Sequence, residues 1–189
     1  MVIWLTGISG AGKTTLSDAI ARRFKSVVPE LVQIDGDEIR ELFGASLSYR
    51  ETDRYEQILR IQRLARMLDR QNMLVLVAAL YGHPDLFARN RKIFSEYFEV
   101  YLEAPLGLVK RRDPKELYRK VERGEMDNVV GIDIPWHAPE NPDLQINSEQ
   151  ETDPDELALD LARRIPRLAC HIDGAAEAVL VGADSSQPR

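Results

Sequence analysis

The residues best suited to chemistry lie near the start of the chain, in the run Gly7-Ile8-Ser9-Gly10-Ala11-Gly12-Lys13-Thr14. This run matches the phosphate-loop pattern G-x-x-x-x-G-K-[ST] at every fixed position. It also separates a β-type apolar segment from a helical pattern, as the motif requires. In such a loop, backbone N–H groups surround phosphate oxygens, the lysine reaches the β- and γ-phosphates and the threonine hydroxyl binds Mg²⁺. The motif therefore predicts a site for a nucleoside triphosphate and Mg²⁺, with Lys13 and Thr14 as its charged and metal-binding groups.

A second polar group follows the next predicted strand, in the sequence Asp35-Gly36-Asp37. Acidic residues at the carboxyl end of a strand lie where open α/β sheets bind ligands. Such residues can bind Mg²⁺ or accept a proton from an acceptor hydroxyl. The alternative is a polar turn in which Asp35 caps the following helix. The apolar strand predicted over residues 73–80 ends without an acid, so the metal-binding role falls to Asp35 or Asp37.

The elements that must position these residues alternate between strands and helices. Five apolar runs predict strands over residues 2–6, 31–35, 73–80, 98–102 and 144–147. Helical periodicity separates them, including a long helix over residues 51–71 that follows a capping-box-like Ser48-Tyr49-Arg50-Glu51. Further helices are expected from the turn at residues 81–85 to Tyr97 and from Asp153 to Ile165. Alternating strands and helices predict an α/β domain built on a five-stranded parallel sheet.

Residues 112–141 interrupt this alternation with a segment rich in charge, glycine and proline and poor in core residues. Long ordered connections in a compact domain are usually functional, and phosphoryl transfer needs a cover that excludes water. We therefore expect a lid over the carboxyl edge of the sheet. The kinase domain is expected to span residues 1–168. The tail, residues 169–189, shows little pattern and is expected to be mobile.

Composition limits the classes of protein and partner. The chain has 189 residues, 44% of them hydrophobic, with a net charge of -6 and a single cysteine, Cys170. A negative chain is poorly suited to nucleic acid, and one cysteine cannot form an internal disulfide. No run approaches membrane-spanning length, so we expect a cytoplasmic protein acting on a small-molecule nucleotide. The sequence leaves a homodimer open.

Several motifs together resemble those of the adenylyl sulfate kinases. They are the phosphate loop, Asp35-Gly36-Asp37 with Arg40, Asp53-Arg54, and a lid string that includes Arg112-Asp113-Pro114-Lys115 and Ala138-Pro139-Glu140-Asn141-Pro142. The similarity covers roughly residues 1–165. Members of that family have a P-loop kinase fold, a three-layer sandwich with a lid. They transfer the γ-phosphate of ATP to the 3′-hydroxyl of adenosine 5′-phosphosulfate. The resemblance thus implies ATP and Mg²⁺ as cofactors.

The resemblance also assigns roles to individual residues. Lys13 and Asp35 are implied to be catalytic, and Thr14 and Asp35 to bind the metal. The residues implied to bind ATP are Gly7, Ser9, Gly10, Ala11, Gly12, Lys13, Thr14, Thr15 and Arg112. Those implied to bind the acceptor nucleotide are Asp37, Arg40, Tyr49, Arg54, Gln57, Lys120 and Val129.

The acceptor side departs from the family pattern at several positions. Gly82 replaces a serine after the third strand, and the arginine of that stretch is missing. Gln57 replaces an asparagine. Val129 replaces a phenylalanine that would stack on adenine, and one stacking face contributes about 1–3 kcal/mol. These changes would suit a relative that phosphorylates another nucleotide conjugate, such as cytidine diphosphoramidate.

Two other classes of protein were weighed. A regulatory GTPase would carry a guanine-selecting Asn-Lys-x-Asp sequence, which the chain lacks. A nucleotide-binding regulatory protein without catalysis would keep the phosphate loop but would not need an acid such as Asp35. The chain also contains His83 in a loop near the predicted site. A single loop histidine is more often exposed than catalytic, so its role stays open.

Overall fold

A computed structural model of the protein describes residues 1–44, 46–113, 116–150 and 152–173. The strands are β1 (Val2–Thr6), β2 (Leu31–Asp35), β3 (Leu74–Ala79), β4 (Tyr97–Glu103) and β5 (Leu144–Asn147). The helices are α1 (Lys13–Phe24), α2 (Gly36–Leu42), α3 (Glu51–Asp69), α4 (Pro84–Ile93), α5 (Leu106–Arg112), α6 (Leu117–Glu122), α7 (Pro154–Arg164) and α8 (Pro166–Ala169). Tail residues 174–189, for which mobility was expected, lie outside the described part of the chain.

The five strands form one parallel sheet in the order β2-β3-β1-β4-β5. Each strand alternates its side chains between two apolar layers. In β1, Ile3 and Leu5 contact the layer built by α1, α7 and α8, whereas Val2 and Trp4 contact the layer of α2, α3 and α4. Both faces of the sheet are buried, which is why its strands read as continuous apolar runs. The predicted three-layer α/β sandwich is confirmed.

The helix predicted to reach Tyr97 ends earlier, at Ile93. Phe94 is extended (ψ 148°), and its ring packs 6.4 Å from Trp4, between centroids. Tyr97 instead begins β4. The prediction was wrong at this boundary because residues that pack against the sheet read equally well as the next turn of an amphipathic helix.

The capping box predicted at Ser48 does not form. Arg50 holds the N-cap position of α3 without a side-chain cap. The carboxylate of Asp53, two residues beyond the predicted partner, accepts hydrogen bonds from the N–H and hydroxyl of Ser48. The Ser48 hydroxyl in turn accepts from the N–H of Arg50. The turn is therefore held by Asp53, which keeps the adjacent Tyr49 and Arg54 in a fixed relation.

The segment predicted to be a lid contains more core than its composition suggested. Tyr118, Val129, Val130 and Ile134 are all buried. A small apolar cluster joins Tyr118 and Val129 to Ile8 of the phosphate loop and to Val109 of α5, and we call it the lid cluster. Apart from α6 and an isolated bridge between Val130 and Ile134, residues 117–143 form no regular element. The segment is anchored by side chains rather than by a backbone ladder.

Glu99 of β4 is buried, with an exposed fraction of 2%. Its carboxylate accepts a hydrogen bond from the Tyr97 hydroxyl, and the Arg91 guanidinium lies 3.7 Å away. The Asp143 carboxylate accepts from the N–H of Glu99. Burial raises the pKa of Glu99 above its ordinary value of 4.5, and Asp143 adds to this, while Tyr97 and Arg91 oppose it. Nothing in the apolar pattern of this strand indicated a buried charge.

None of the helices within the described residues is both long enough and apolar enough to cross a lipid bilayer.

The raised pKa of Glu99 predicts a pH-dependent contribution to stability. A carboxyl whose pKa is higher in the folded state binds more protons there, so stability falls as pH rises above the unfolded value, 4.5, toward the folded value. We expect the free energy of unfolding of the wild type, minus that of Glu99→Gln, to decrease across this range. Urea unfolding at a series of pH values measures the difference. A difference that increases with pH would mean that Arg91 dominates and that the pKa is lowered.

Candidate active site

The phosphate loop connects β1 to α1 and is packed tightly against its surroundings. Gly7 passes so close to β4 that a Cβ atom there would lie 2.5 Å from the Leu102 carbonyl oxygen. Gly10 and Gly12 have φ of 81° and 98°, which L side chains rarely adopt. The glycines of the motif are thus required both by close approach and by backbone conformation. The loop and the first turn of α1 line a large cavity.

Lys13 lies over the loop from which it extends. Its Nζ donates to the carbonyl oxygens of Gly7 and Ile8, at 2.8 and 2.9 Å. These bonds hold the ammonium group over the loop, on the side that faces the cavity. A phosphate bound in the loop would meet this positive charge together with the N-terminus of α1.

Asp35 and Thr14 meet across the end of β3. The Thr14 hydroxyl donates to one carboxylate oxygen of Asp35 at 2.9 Å, and the other oxygen accepts from the N–H of Asp37 at 2.8 Å. Asp35 is thus also the N-cap of α2, which confirms the capping role expected from the sequence, while its catalytic and metal-binding roles stay predictions. Alanines 78 and 79 end β3 between them and line the cavity. Their small side chains leave room for the contact.

A hydroxyl and a carboxylate oxygen are the hard donors that Mg²⁺ prefers. Within the described ranges, no group of three or more His, Cys, Asp or Glu side chains could hold a metal ion. Mg²⁺ usually binds through one or two protein oxygens together with phosphates and water. Thr14 and Asp35 therefore fit the predicted metal-binding pair.

Arg40, Tyr49 and Arg54 form a second group across the cavity from the phosphate loop. The Arg40 and Arg54 guanidinium carbons lie 4.6 and 5.3 Å from the centroid of the Tyr49 ring. Arg40 also donates to the carbonyl oxygens of Leu47 and Ser48. The Tyr49 ring remains 46% exposed, so one group combines an accessible aromatic surface with two cations.

Arg54 is the most unusual charge of this group because only 7% of it is exposed. It donates to the carbonyl oxygens of Tyr49 and Asn128, at 2.9 and 2.7 Å. Burial lowers the pKa of Arg54, and the nearby positive charge of Arg40 lowers it further. Tyr49 and the carboxylates of Asp133 and Asp37 act in the opposite direction. A buried cation whose hydrogen bonds end on carbonyl oxygens is favourably placed to bind an anionic ligand.

The cavity has a volume of about 1380 Å³ and brings together most of the predicted residues. Gln57 also lines it and donates to the Gly36 carbonyl oxygen. Predicted residues that line it are Ser9, Gly10, Ala11, Gly12, Lys13, Thr14, Thr15, Asp35, Asp37, Arg40, Tyr49, Arg54, Gln57 and Arg112. Arg112 donates to the Ser148 carbonyl oxygen at 2.9 Å.

Three predicted site residues are not part of the cavity lining. Gly7 contributes its carbonyl oxygen to Lys13 instead. Lys120, on α6, lies away from the cavity. Val129 is 2% exposed and packs in the lid cluster, so its side chain is not presented to a ligand in this arrangement. A phenylalanine there would have to fit among Ile8, Val109 and Tyr118. Acceptor contacts by Lys120 and Val129 stay predictions without support from the geometry.

His83 does not line the cavity and instead caps a helix. Its Nδ1 accepts from the N–H of Asp85 and caps α4. Its ring contacts Tyr55 and His137, with centroids 5.5 Å apart in each pair. The neighbouring Gly82 is forced by packing, since a Cβ atom there would lie 2.4 Å from the Phe87 ring.

Two groups of cavity residues were missed from the sequence. Tyr81 lines the cavity and donates its hydroxyl to the Glu51 carboxylate at 3.1 Å. Burial and Glu51 raise the pKa of Tyr81 to about 12. The segment after β5 also lines the cavity, and the Ser148 hydroxyl donates to the Ala11 carbonyl oxygen. Both groups follow the carboxyl ends of strands, which is the signal that located Asp35 and could have located them.

Comparison with known proteins identifies the family. The sequence profile described as adenylylsulphate kinase matches residues 1–147. The adenylyl-sulfate kinase of Halothermothrix orenii is 36% identical over 152 residues, 80% of this chain and 82% of that protein. The cytidine diphosphoramidate kinase of Campylobacter jejuni is 38% identical over 147 residues, 78% of this chain and 85% of that protein.

The fold comparison agrees. The APS kinase of Mycobacterium tuberculosis, solved in complex with AMPPNP and APS, superposes with a TM-score of 0.77 at 33% identity. The match covers 85% of this chain and 94% of that one. A phosphate loop, an acid at the end of β2 and a lid over the same sheet edge occur here in one cavity. The chain therefore belongs to the adenylylsulphate kinase family of P-loop phosphotransferases, which act on an alcohol group as acceptor.

Proposed function

We propose that this protein transfers the γ-phosphate of ATP to the ribose 3′-hydroxyl of adenosine 5′-phosphosulfate. The observation that carries the proposal is the 2.9 Å contact between Thr14 and Asp35. It places an acid at the end of the phosphate loop, in the cavity that Arg40, Tyr49 and Arg54 also line. Donor and acceptor sites thus meet at one carboxylate.

The donor site is built by the phosphate loop, the start of α1 and the segment after β5. Lys13 would bind the β- and γ-phosphates, and the Thr15 hydroxyl lies one residue further into the same helix N-terminus. Arg112, Asn147, Ser148 and Gln150 also line the cavity and would contact the base and ribose of ATP. Mg²⁺, held by Thr14 and Asp35, would neutralise charge on the phosphates when bound.

Asp35 is oriented for its role by two hydrogen bonds, one to each carboxylate oxygen. The bond from the Asp37 N–H would keep the carboxylate oriented, so that its other oxygen, which here accepts from Thr14, would be available to Mg²⁺ or to the proton of the substrate hydroxyl. In phosphoryl transfer, positioning and charge neutralisation account for most of the catalysis. Asp35 would orient the nucleophile, and Lys13 would stabilise the charge that develops.

The acceptor nucleotide would bind between α2 and α3. Tyr49 offers a ring for stacking on the base, and Arg40 and Arg54 offer positive charge to the phosphosulfate group. Arg54 suits this role because it is buried and its hydrogen bonds end on the carbonyl oxygens of Tyr49 and Asn128. Asp37 and Gln57 lie on the same side of the cavity and would bind the ribose or the base.

A second acceptor, cytidine diphosphoramidate, is favoured by one group of observations. Tyr81 and Glu51 add a hydrogen-bonded polar pair at the acceptor side, and Gly82 is fixed by Phe87 where the family carries serine. The relative named for this substrate is as similar to the chain as those named for adenylyl sulfate. Adenylyl sulfate stays the first proposal because the family profile and the structural neighbour agree on it.

Replacing Lys13 with alanine should abolish phosphoryl transfer and leave the fold intact. Removing this cation from a developing phosphoryl charge should cost roughly 3–4 kcal/mol, which is several hundredfold or more in rate. A coupled assay of ADP formation measures the effect. Lys92→Ala is the matched control because Lys92 is exposed on α4, outside the cavity. Near-normal turnover in Lys13→Ala would contradict the proposed kinase mechanism.

The acceptor itself can be identified by comparing kcat/KM for adenylyl sulfate and cytidine diphosphoramidate at saturating ATP. We expect adenylyl sulfate to be the better substrate, with the 3′-phosphorylated product identified by mass spectrometry. A higher kcat/KM for cytidine diphosphoramidate would assign the alternative function. Turnover of neither, when ATP binds normally, would show that the acceptor proposal is wrong. Lys13→Ala provides the background rate for both substrates.

A further inference from the structure

Tyr118 of α6 lies outside the cavity but contacts the phosphate loop. Its side chain is 1% exposed and packs in the lid cluster against Ile8, Val109 and Val129. Its hydroxyl lies 3.0 Å from the carbonyl oxygen of Ser9, at the tip of the loop. The lid thus reaches the phosphate loop through one buried hydrogen bond.

The direction of this bond is fixed by chemistry. A carbonyl oxygen can only accept, so the Tyr118 hydroxyl must donate. Burial, aided by the nearby Asp113, raises the pKa of Tyr118 to about 12, so the hydroxyl keeps its proton over the physiological range. The position of Tyr118 is set by hydrogen bonds of its own helix turn. The Asp113 carboxylate accepts from the N–H groups of Tyr118 and Arg119, at 3.2 and 3.1 Å, and fixes the first turn of α6.

The bond also determines the direction of the next N–H group. In a planar trans peptide, the carbonyl oxygen of Ser9 and the N–H of Gly10 point in opposite directions. No cis peptide occurs in the described part of the chain. Since Tyr118 holds the Ser9 carbonyl on the lid-cluster side, the Gly10 N–H points away from that cluster. Ser9 and Gly10 both line the cavity. None of the described residues accepts a hydrogen bond from the Gly10 N–H, which leaves it for a phosphate oxygen.

The orientation of the Ser9–Gly10 peptide is easily lost because residue 10 is a glycine. Gly10 has φ 81°, and a glycine populates positive and negative φ about equally readily. The Ser9–Gly10 peptide could therefore rotate at little steric cost, turning its carbonyl oxygen toward the phosphates. Val109 limits the movement of Gly10, since a Cβ atom there would lie 3.2 Å from the Val109 Cβ. Packing alone does not select which way the peptide points, but the hydroxyl of Tyr118 does.

We propose that Tyr118 is a positioning residue that holds the Ser9–Gly10 peptide with its N–H toward the triphosphate and so links the lid to ATP binding. Tyr118 acts through the loop and touches no substrate. The inference rests on the proposed function only in taking ATP as the ligand of the loop. It does not depend on the identity of the acceptor.

Tyr118→Phe removes the hydroxyl and keeps every carbon contact in the lid cluster. We expect the Kd for an ATP analogue, measured by calorimetry, and the KM for ATP each to rise about three- to tenfold, the effect of one lost hydrogen bond. The KM for the acceptor should change less than twofold. In the wild type, the Gly10 amide resonance should shift on adding the analogue, and the shift should be smaller in the variant.

Tyr97→Phe is the matched control. Tyr97 is a partly buried tyrosine whose hydroxyl donates to Glu99 and accepts from Asn90, but it begins β4, at the end of the sheet opposite the phosphate loop. Tyr97→Phe should lower the melting temperature and leave the Kd for the ATP analogue unchanged. If Tyr118→Phe behaves like this control, Tyr118 only packs, and the proposal is overturned. Analogue binding needs no acceptor, so a failure of the acceptor proposal would leave this test intact.

Discussion

The site depends on the hydrogen bond between Thr14 and Asp35, because it joins two strands that are not neighbours. Asp35 ends β2 and Thr14 begins the helix after β1, with β3 between them. The contact is possible because β3 ends in alanines, whose small side chains leave the space open. An acid at the end of β3, as in many phosphate-loop proteins, would occupy that space. An acid at the end of β2 can therefore reach Thr14 only because the residues at the end of β3 are small.

The sheet edge that carries this contact is built by hydrogen-bonded strands, and the elements over it are held by side chains. Tyr118 connects α6 to the Ser9 carbonyl, and Arg54 connects α3 to the Asn128 carbonyl. The lid is therefore tied to the donor side through one bond and to the acceptor side through another. The Arg54 bond ends on a backbone carbonyl, so an anionic ligand can replace it more readily than it could replace an ion pair, whereas the Tyr118 bond would persist when ATP binds. This arrangement suits a cover that must respond to two nucleotides.

Under the proposed function, the two sides of the cavity differ in how tightly their residues are constrained. The phosphate loop is constrained by close approaches at Gly7 and Gly10, so few substitutions are tolerated. Around Tyr81 and Gly82 the constraint is different. The tyrosine hydroxyl has a partner in Glu51, and the glycine leaves room for the Phe87 ring. Substitutions here would replace one set of packing contacts with another. They would change the cavity surface that faces the base or the conjugated group of the proposed acceptor, without disturbing the sheet.

The fold class, the five strands and the phosphate loop could be predicted from the sequence, because each rests on a local pattern: apolar runs and glycines at fixed spacing. The sequence also pointed to Asp35 and Arg54, and both line the cavity. The burial of Val129 in the lid cluster, the contact of Tyr81 with Glu51 and the burial of Glu99 beside Tyr97 could not be predicted in this way. These facts depend on which distant segments pack together. Periodicity states which face of an element is buried, but not which neighbour covers it, and hydrogen bonds between distant residues leave no periodic trace.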